Sequence, residues 1–277
     1  MRIALVQLNA GDMPLENLPV TEAFIREAAG KGAEFVLTPE VTNVVSTSRA
    51  HQEKVLAHEA DDPTLARLSQ VAAELGIWLL IGSLALKTDD ADGRFANRSF
   101  LIGPDGAVFA RYDKIHMFDV DISQTETWRE SDAFRPGTHL SLARTSIGTI
   151  GMTVCYDLRF AHMHRDLAKA GADILTQPAA FSPVTGAAHW HVLLRARAIE
   201  TGCFVLAPAQ CGDHAISSGR PRATYGHSLA VSPWGEVLAD GGEEAGVTLV
   251  DLDMAEVGRA RARIPSLQHD RPYQGLK

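Results

Sequence analysis

The chain has 277 residues, of which 45% are apolar and 22% are charged, and its formal net charge is −8. This acidic balance argues against a surface for nucleic acid or for anionic membranes. The 3 cysteines are too few for a disulfide framework, and the longest apolar run, residues 77–86, is about half the length of a membrane-spanning helix. The composition therefore excludes a disulfide-rich secreted protein, a transporter and a basic nucleic-acid binder, and it predicts a soluble cytoplasmic protein.

Strand-like and helical runs alternate in the first half of the chain. A helix is predicted from residue 18 or 19 to residue 29, and a second at 63–75, where Asp62 is the predicted N-cap and Gly76 the predicted C-cap. The Gly-Pro-Asp-Gly sequence at 103–106 predicts a hairpin turn. The strands predicted in this half are residues 3–8, 35–38, 77–84, 95–102 and 107–112.

Hairpins become more frequent in the second half. Residues 115–137 have little periodicity and are long for a connection, which is typical of a functional loop. Helices are predicted at 159–170, at 189–201 and from Asp253 to about 264, and strands at 149–154, 173–177, 204–207, 226–231, 236–239 and 247–251. The pattern predicts an α/β fold with mixed sheets covered by helices. We expect a single domain over residues 1–277, with a core of about 1–265 and a C-terminal tail at 266–277.

Cys155 stands where a predicted strand gives way to a helix, within the segment GMTVCYDLRF at 151–160. This position places the thiol beside free backbone N–H groups and the positive end of a helix. Both features lower the pKa of a thiol and can hold a developing oxyanion. By itself the pattern also fits a buried cysteine that packs as a small apolar group, which is the interpretation we keep for Cys203 and Cys211.

Two ionisable residues follow other predicted strands. Glu40 ends the segment FVLTPE at 35–40, where partly apolar surroundings raise the pKa of a carboxyl group towards the range of a general base. Lys114 lies in RYDKIHMFD at 111–119, where its ammonium can face the oxygen of a tetrahedral intermediate. Taken singly, Glu40 also fits a surface or helix-capping acid, and Lys114 a solvated lysine.

Together with their flanking residues, Glu40, Lys114 and Cys155 resemble the Glu–Lys–Cys triad of the nitrilase superfamily of carbon–nitrogen hydrolases. The resemblance extends from the IALVQ strand at 3–7 to the Ile-Pro segment at 264–265. It implies a four-layer α-β-β-α sandwich that assembles into dimers or larger homo-oligomers. It also implies amide hydrolysis through a thioester, without a metal or an organic cofactor.

The resemblance assigns roles to individual residues. Cys155 matches the nucleophile, Glu40 the general base and Lys114 the group that stabilises the transition state. Glu130 matches a second acid that orients the triad, although it also fits a loop carboxylate paired with Arg129. The backbone N–H of Tyr156 is the other expected oxyanion donor.

Further segments resemble a subgroup that acts on amides of α-keto acids. The segment after the nucleophile reads YDLRF, as in the amidases, whereas true nitrilases have WEN at this place. The run AFSPVTGAAHW at 180–190 is similar to the corresponding segment of the subgroup. Arg159, Phe181 and Thr185 match its substrate contacts, and a guanidinium suits the carboxylate beside the keto group. Arg159 also fits an ion pair with an aspartate at 157 or 166, and Phe181 also fits the core.

The subgroup comprises deaminated glutathione amidase and omega-amidase. The segment AQCGDH at 209–214 resembles the former, so we expect hydrolysis of deaminated glutathione to α-ketoglutarate and cysteinylglycine, with omega-amidase activity on α-ketoglutaramate or α-ketosuccinamate as the alternative. The chain departs from both patterns at 41–44 and in the insertion-like segment 123–128. Because both segments can line the pocket entrance, the identity of the leaving group stays open.

Three other hypotheses are weaker. The chain has 11 histidines, but the pairs at 162/164 and 189/191 are two residues apart, so each pair points to different sides of a helix, and we predict no metal site. The GHSLA segment at 226–230 lacks the final glycine of a serine-hydrolase elbow. A non-catalytic binding protein on the same fold is expected to have lost part of the triad, and all three residues are present.

Overall fold

The computed structural model describes residues 1–122 and 127–275. The helices of this described part are α1 (Pro14–Gly30), α2 (Arg49–Val55), α3 (Pro63–Leu75), α4 (Ala161–Lys169), α5 (Pro183–Thr201) and α6 (Ala255–Arg263). Its strands are β1 (Arg2–Gln7), β2 (Phe35–Leu37), β3 (Trp78–Leu86), β4 (Ala96–Ile102), β5 (Val108–Asp113), β6 (Asp119–Asp121), β7 (Thr127–Arg129), β8 (Ser141–Thr145), β9 (Gly148–Met152), β10 (Ile174–Thr176), β11 (Phe204–Ala207), β12 (Cys211–Asp213), β13 (Ala223–Tyr225), β14 (Leu229–Val231), β15 (Val237–Asp240) and β16 (Gly246–Asp251).

Two six-stranded mixed sheets form the framework. The first has the order β16-β1-β2-β3-β4-β5, and the second has the order β15-β14-β11-β10-β9-β8. In each sheet three central strands are parallel, namely β1, β2 and β3 in the first and β9, β10 and β11 in the second. Antiparallel hairpins extend both sheets to their edges, as the mixture of helical crossovers and turn sequences predicts.

Alternating side chains of the strands place the two sheets face to face and the helices outside them. Phe35 of the first sheet and Ile150 of the second belong to the same buried apolar core. The next residue of β2, Val36, points to the other face, where it packs with Ile25 of α1. Leu194 of α5 packs against the second sheet. The resulting four-layer α-β-β-α sandwich confirms the predicted fold class.

Helix boundaries follow the capping residues. The side chain of Asp62 accepts the N–H of Leu65 at 2.8 Å and α3 ends at Gly76, as predicted. The predicted start of α5 at residue 189 is wrong, because the helix begins at Pro183 behind the N-cap Ser182. A proline fits the first helical position since its missing N–H has no partner there in any case.

Other departures from prediction lie where apolar periodicity is weak. Helix α1 begins at Pro14 rather than residue 18, and α2 and the β6–β7 hairpin were not predicted. The tail is held in place, since Asp270 forms ion pairs with Arg165 and Lys169 of α4. Among the residues described, no helix is both long and apolar enough to span a bilayer.

Candidate active site

Three buried polar side chains follow the ends of strands. Glu40 comes three residues after β2, Lys114 directly after β5 and Cys155 three residues after β9. β5 runs in the same direction as β2, so the chain leaves the first sheet at the same edge in both places. The three residues are 4%, 2% and 7% exposed. The fold thus places the predicted triad in one buried region between the two sheets.

The ammonium group of Lys114 lies between two carboxylates. Its Nζ is 3.0 Å from Oε1 of Glu40 and 2.8 and 2.7 Å from the two carboxylate oxygens of Glu130. Glu130 also accepts the backbone N–H of Phe118 at 2.6 Å. The alternative pairing with Arg129 is not formed in the described structure, where Arg129 pairs with Asp121 instead. Glu130 therefore holds the lysine in place from the side opposite Glu40.

Further donors hold the carboxylate of Glu40. Asn97 in β4 donates its Nδ2 to Oε1 at 2.9 Å, and the backbone N–H of Ala180 donates to Oε2 at 2.9 Å. The same Nδ2 of Asn97 lies 3.4 Å from Oε1 of Glu130 and so links the two acids. Sequence analysis missed Asn97, although a buried amide within an otherwise apolar strand is a detectable signal.

Cys155 has a strained backbone that points to function. Its φ angle is +50°, in the left-handed region that a non-glycine residue enters at a cost. Its N–H donates to the carbonyl of Pro178 at 2.9 Å, and its carbonyl accepts Nε2 of Gln177 at 3.0 Å. These bonds fix the turn that places the thiol beside the carboxylate of Glu40 and the ammonium of Lys114 in the lining of one cavity.

The short 3₁₀ turn Cys155–Arg159 is anchored by Asp157. This fully buried carboxylate accepts the N–H of Val154 at 2.9 Å and the hydroxyl of Tyr112 at 2.7 Å. Within the described residues, the N–H of Tyr156 has no hydrogen-bond acceptor. The turn therefore leaves one backbone donor next to the thiol free to bind a ligand oxygen.

Burial and the three charges set the protonation states. Burial acts to raise the pKa of Glu40, but the ammonium of Lys114 and the hydrogen bonds from Cys155 and Lys114 outweigh it and hold the pKa below its ordinary value. Burial acts to lower the pKa of Lys114, but Glu130 and Glu40 raise it well above its ordinary value. Burial and the Glu40 carboxylate raise the pKa of Cys155 well above its usual range. The predicted directions for Glu40 and Cys155 are therefore wrong, and the resting state is carboxylate, ammonium and neutral thiol.

These groups form the floor of a cavity of about 280 Å³. The predicted residues that line it are Glu40, Lys114, Glu130, Cys155, Tyr156, Phe181 and Thr185. Val41, Val44 and Trp128, from the two segments expected at the entrance, also line it. Residues 123–126 of the insertion-like segment lie outside the described residues. A small organic molecule can therefore reach the thiol.

The family model for carbon–nitrogen hydrolases matches residues 2–262. This chain belongs to the carbon–nitrogen hydrolase family. It is 38% identical to the deaminated glutathione amidase of Yersinia enterocolitica over 99% of this chain and 94% of that protein. It is 36% identical to the human omega-amidase NIT2 over 98% of this chain and 95% of that protein. Both relatives carry the names of amidases.

Solved structures of other proteins have the same fold. The Caenorhabditis elegans NitFhit protein superposes with a TM-score of 0.90 at 33% identity, over 98% of this chain and 65% of that longer chain. An amidase from Nesterenkonia superposes with a TM-score of 0.77 at 27% identity, over 96% of this chain and 98% of that chain. In that Nesterenkonia structure acrylamide has added to the active-site cysteine. This carbon–nitrogen hydrolase is accordingly a cysteine-dependent amidase.

Of the three predicted substrate contacts, Phe181 and Thr185 line the cavity and Arg159 does not. Phe181 packs against Trp190 with ring centroids 4.8 Å apart and also lines the cavity, so it serves the core and the cavity together. Thr185 lies in the first turn of α5. Arg159 does not line the cavity of the described structure, but its guanidinium lies 5.8 Å from the ring centroid of Tyr156 and 5.6 Å from that of Phe181. Among described residues it pairs with neither candidate aspartate.

Two arginines of the cavity were missed by sequence analysis. Arg220 and Arg222 line it and lie over the ring of Trp128, with guanidinium carbons 5.2 and 5.0 Å from the ring centroid. They belong to a turn-rich segment between β12 and β13 that has no periodic pattern. Two arginines separated by one residue were the sequence feature that could have indicated a cationic site here.

One histidine cluster also escaped prediction. His191 of α5 lies beside His227 and Asp240, and their possible ligand atoms are all within 4.8 Å of one another. The pair spacing in the sequence could not reveal this group, because two of its three members come from other elements. None of the three lines the cavity. Ser228 of the discounted GHSLA segment is buried, and its hydroxyl accepts the N–H of Ala209 at 2.9 Å.

Proposed function

We propose that this amidase hydrolyses deaminated glutathione to α-ketoglutarate and cysteinylglycine through a thioester on Cys155. The observation that carries the proposal is the buried group of Glu40, Lys114, Glu130 and Cys155 at the floor of a ligand-sized cavity. Relatives named deaminated glutathione amidase, 38% identical over nearly the whole chain, support the choice of substrate. A non-catalytic binding protein has no need to hold a buried lysine between two carboxylates.

In the first step Sγ of Cys155 attacks the amide carbon while Glu40 accepts the thiol proton. The raised pKa of the thiol makes this transfer necessary, because little thiolate is present at rest. The carbonyl oxygen becomes an oxyanion, which the ammonium of Lys114 and the N–H of Tyr156 stabilise. A preorganised donor of this kind contributes about 3–4 kcal/mol to such a transition state.

In the second step the tetrahedral intermediate collapses and the C–N bond breaks. Glu40 returns its proton to the leaving amine, and the acyl group stays on Cys155 as a thioester. Glu40 then deprotonates a water molecule, which attacks the thioester and releases the acid, and the thiol recovers its proton. One water is consumed, and the mechanism needs neither a metal nor an organic cofactor.

Glu130 and the side wall of the cavity have supporting roles in this proposal. Glu130 keeps Lys114 protonated and directed towards the reacting carbonyl, since it binds Nζ with both oxygens. Arg159 binds the carboxylate of the α-keto acid, because among the described residues its guanidinium contacts the ring of His189 and no carboxylate. Phe181 and Thr185 contact the same half of the substrate.

We also propose that the protein acts in the cytoplasm as a homodimer or larger homo-oligomer. The 3 cysteines are all unpaired, which suits a reducing compartment. Helix α5 exposes Val184, Val192 and Ile199, which are 59%, 68% and 54% exposed in the single chain. Light scattering of the purified protein gives the number of subunits, and a monomer at micromolar concentration contradicts this part of the proposal.

The test is a rate comparison of deaminated glutathione and α-ketoglutaramate in the presence of a chelator. We expect kcat/KM to be at least about tenfold higher for deaminated glutathione, to be unaffected by the chelator and to be lost in Cys155→Ala. The control is Cys203→Ala, since Cys203 is buried away from the cavity. A tenfold preference for α-ketoglutaramate favours the omega-amidase alternative, which the 36% identity to human NIT2 supports. Full activity of Cys155→Ala contradicts the mechanism.

A further inference from the structure

Arg220, Trp128 and Arg222 form one continuous part of the cavity wall, which we call the arginine–tryptophan wall. The two guanidinium groups lie over the same indole ring, at 5.2 and 5.0 Å from its centroid. Stacking of this kind restrains a guanidinium while its N–H donors remain available at the edge of the plane. The wall is therefore built to present two cations to the cavity.

The charges of this wall have no carboxylate partner among the described residues. Two other arginines line the cavity, and both are neutralised: Arg129 lies 2.8 Å from Asp121, and Arg49 lies 3.6 Å from Glu53. Among the described residues, neither Arg220 nor Arg222 forms an ion pair. The wall thus offers two guanidinium groups without an ion pair to any described residue, in a protein whose net charge is −8.

Arg222 also has a buried hydrogen-bond donor that is not satisfied by any described residue. Its Nε is buried without a hydrogen-bond partner in the described structure, while one of its terminal nitrogens donates to the carbonyl of Ala180 at 3.1 Å. A buried donor without a partner is destabilising, and an arriving carboxylate removes that penalty with a strong charge-assisted bond. This unsatisfied group is independent of the stacking and points to an anionic ligand.

The segment that carries both arginines is fixed in place. The N–H of Arg220 donates to Oγ1 of Thr47 at 2.7 Å, and Oγ1 of Thr47 donates to the carbonyl of Arg220 at 2.8 Å. The N–H of His214 donates to the carbonyl of Arg222 at 2.9 Å. Preorganisation of this kind lowers the entropy lost when a ligand binds.

Ala180 links Arg222 of the wall to Glu40, the group that protonates the leaving amine in the proposed mechanism. Glu40 returns its proton to the leaving nitrogen in the proposed mechanism, and its Oε2 accepts the N–H of Ala180. Arg222 contacts the carbonyl of that same Ala180. Arg159, by contrast, lies against Tyr156 and Phe181. Arg222 and Arg159 therefore contact different residues around the reacting centre, which allows them to serve different halves of an amide substrate.

We propose that the arginine–tryptophan wall is a subsite for the terminal carboxylate of the leaving group. The enzyme then selects amides whose amine half is a short peptide with a free C-terminus over amides that release ammonia. This inference rests on the proposed function, since it assumes that the acyl half occupies the side of Arg159. It assigns the choice of leaving group to Arg220 and Arg222.

The experiment compares three substrates: deaminated glutathione, its C-terminal carboxamide and α-ketoglutaramate. In the double variant Arg220→Met/Arg222→Met we expect kcat/KM for deaminated glutathione to fall about 30-fold, mostly through KM. The loss on the two substrates without a terminal carboxylate is expected to be at least about tenfold smaller. The wild-type enzyme should accordingly prefer the free acid to its carboxamide, and Arg220→Lys/Arg222→Lys should recover part of this preference.

The control is Arg144→Met, which removes an exposed arginine of β8 outside the cavity. Thermal denaturation of each variant shows whether the fold is intact. Equal losses on all three substrates, or no loss on deaminated glutathione, overturn the subsite while the proposed function stands. A wild-type enzyme that is inactive on deaminated glutathione but active on α-ketoglutaramate overturns the proposed function, and the subsite with it.

Discussion

The floor and the wall of the cavity arrange their charged groups in opposite ways. At the floor the ammonium of Lys114 lies within 3.0 Å of the carboxylates of Glu40 and Glu130, and Asn97 donates a further hydrogen bond to Glu40. At the wall Arg220 and Arg222 keep their charges unpaired among the described residues. The ion-paired groups of the floor fix protonation states for the chemistry, whereas the guanidinium groups of the wall remain available to bind a ligand. The difference separates the residues that perform the reaction from those that select the substrate.

The largest loss of activity is expected when the general base at the floor, Glu40, is replaced. In Glu40→Gln the amide can still accept a hydrogen bond but cannot take the proton of Cys155, so we expect kcat to fall at least about 10³-fold. Glutamine has nearly the same volume, and the fold should survive. Steady-state kinetics and a thermal melt check both points. Retention of more than a tenth of the wild-type kcat contradicts the role of Glu40 as base.

A smaller effect is expected when only the positioning acid is changed. In Glu130→Gln the ammonium of Lys114 keeps Glu40 but loses the carboxylate that binds it with both oxygens, so its pKa falls. We expect kcat to fall about 10²-fold with little change in KM, and the alkaline limb of the pH–rate profile to move to lower pH. A structural role alone would not move that limb. Glu130→Asp should restore part of the activity.

Stability at low pH depends on two buried histidines, one behind the floor and one behind the wall. His164 lies 3.2 Å from Gln177, which holds Cys155, and His214 holds the segment of Arg222. Burial lowers the pKa of each histidine from 6.5 to about 4.

The unfolded chain therefore binds more protons than the folded one between pH 6.5 and 4. The part of the free energy of unfolding that depends on neutral His164 and His214 is therefore complete above pH 6.5. It is lost as the pH falls to about 4, and the loss is on the order of 3 kcal/mol for each histidine. Denaturant unfolding from pH 7 to 4 measures this slope. His164→Asn should flatten it, whereas His139→Asn, a change at an exposed residue, should not. An unchanged slope in His164→Asn contradicts the assignment.

The smallest effect is expected from Arg159→Met, which distinguishes the role of Arg159 from that of Arg220 and Arg222. In Arg159→Met we expect KM to rise about tenfold for deaminated glutathione and for α-ketoglutaramate alike, because both carry the α-keto carboxylate. The melting temperature should change by less than about 2 °C, since Arg159 forms no ion pair with described residues. A loss confined to deaminated glutathione would assign Arg159 to the leaving group instead.

Local signals were sufficient for the elements and for the identity of the reacting residues. Asp62 and Gly76 bound α3 as predicted, because capping depends on neighbours within a few residues. Cys155, Glu40 and Lys114 each follow a strand within three residues, and this placement is visible in the sequence. The starts of α1 and α5 were missed where a proline begins a helix of weak apolar periodicity.

Contacts between distant segments decided the rest. The amino-acid sequence determined the alternation of strands and helices, the positions of the triad and the family to which the chain belongs, since these are carried by short motifs. Only the tertiary structure placed Asn97 beside Glu40, stacked Arg220 and Arg222 on Trp128, and reversed the expected direction of the Cys155 pKa. Burial and Coulomb interactions depend on distance in space, which residue spacing along the chain does not encode.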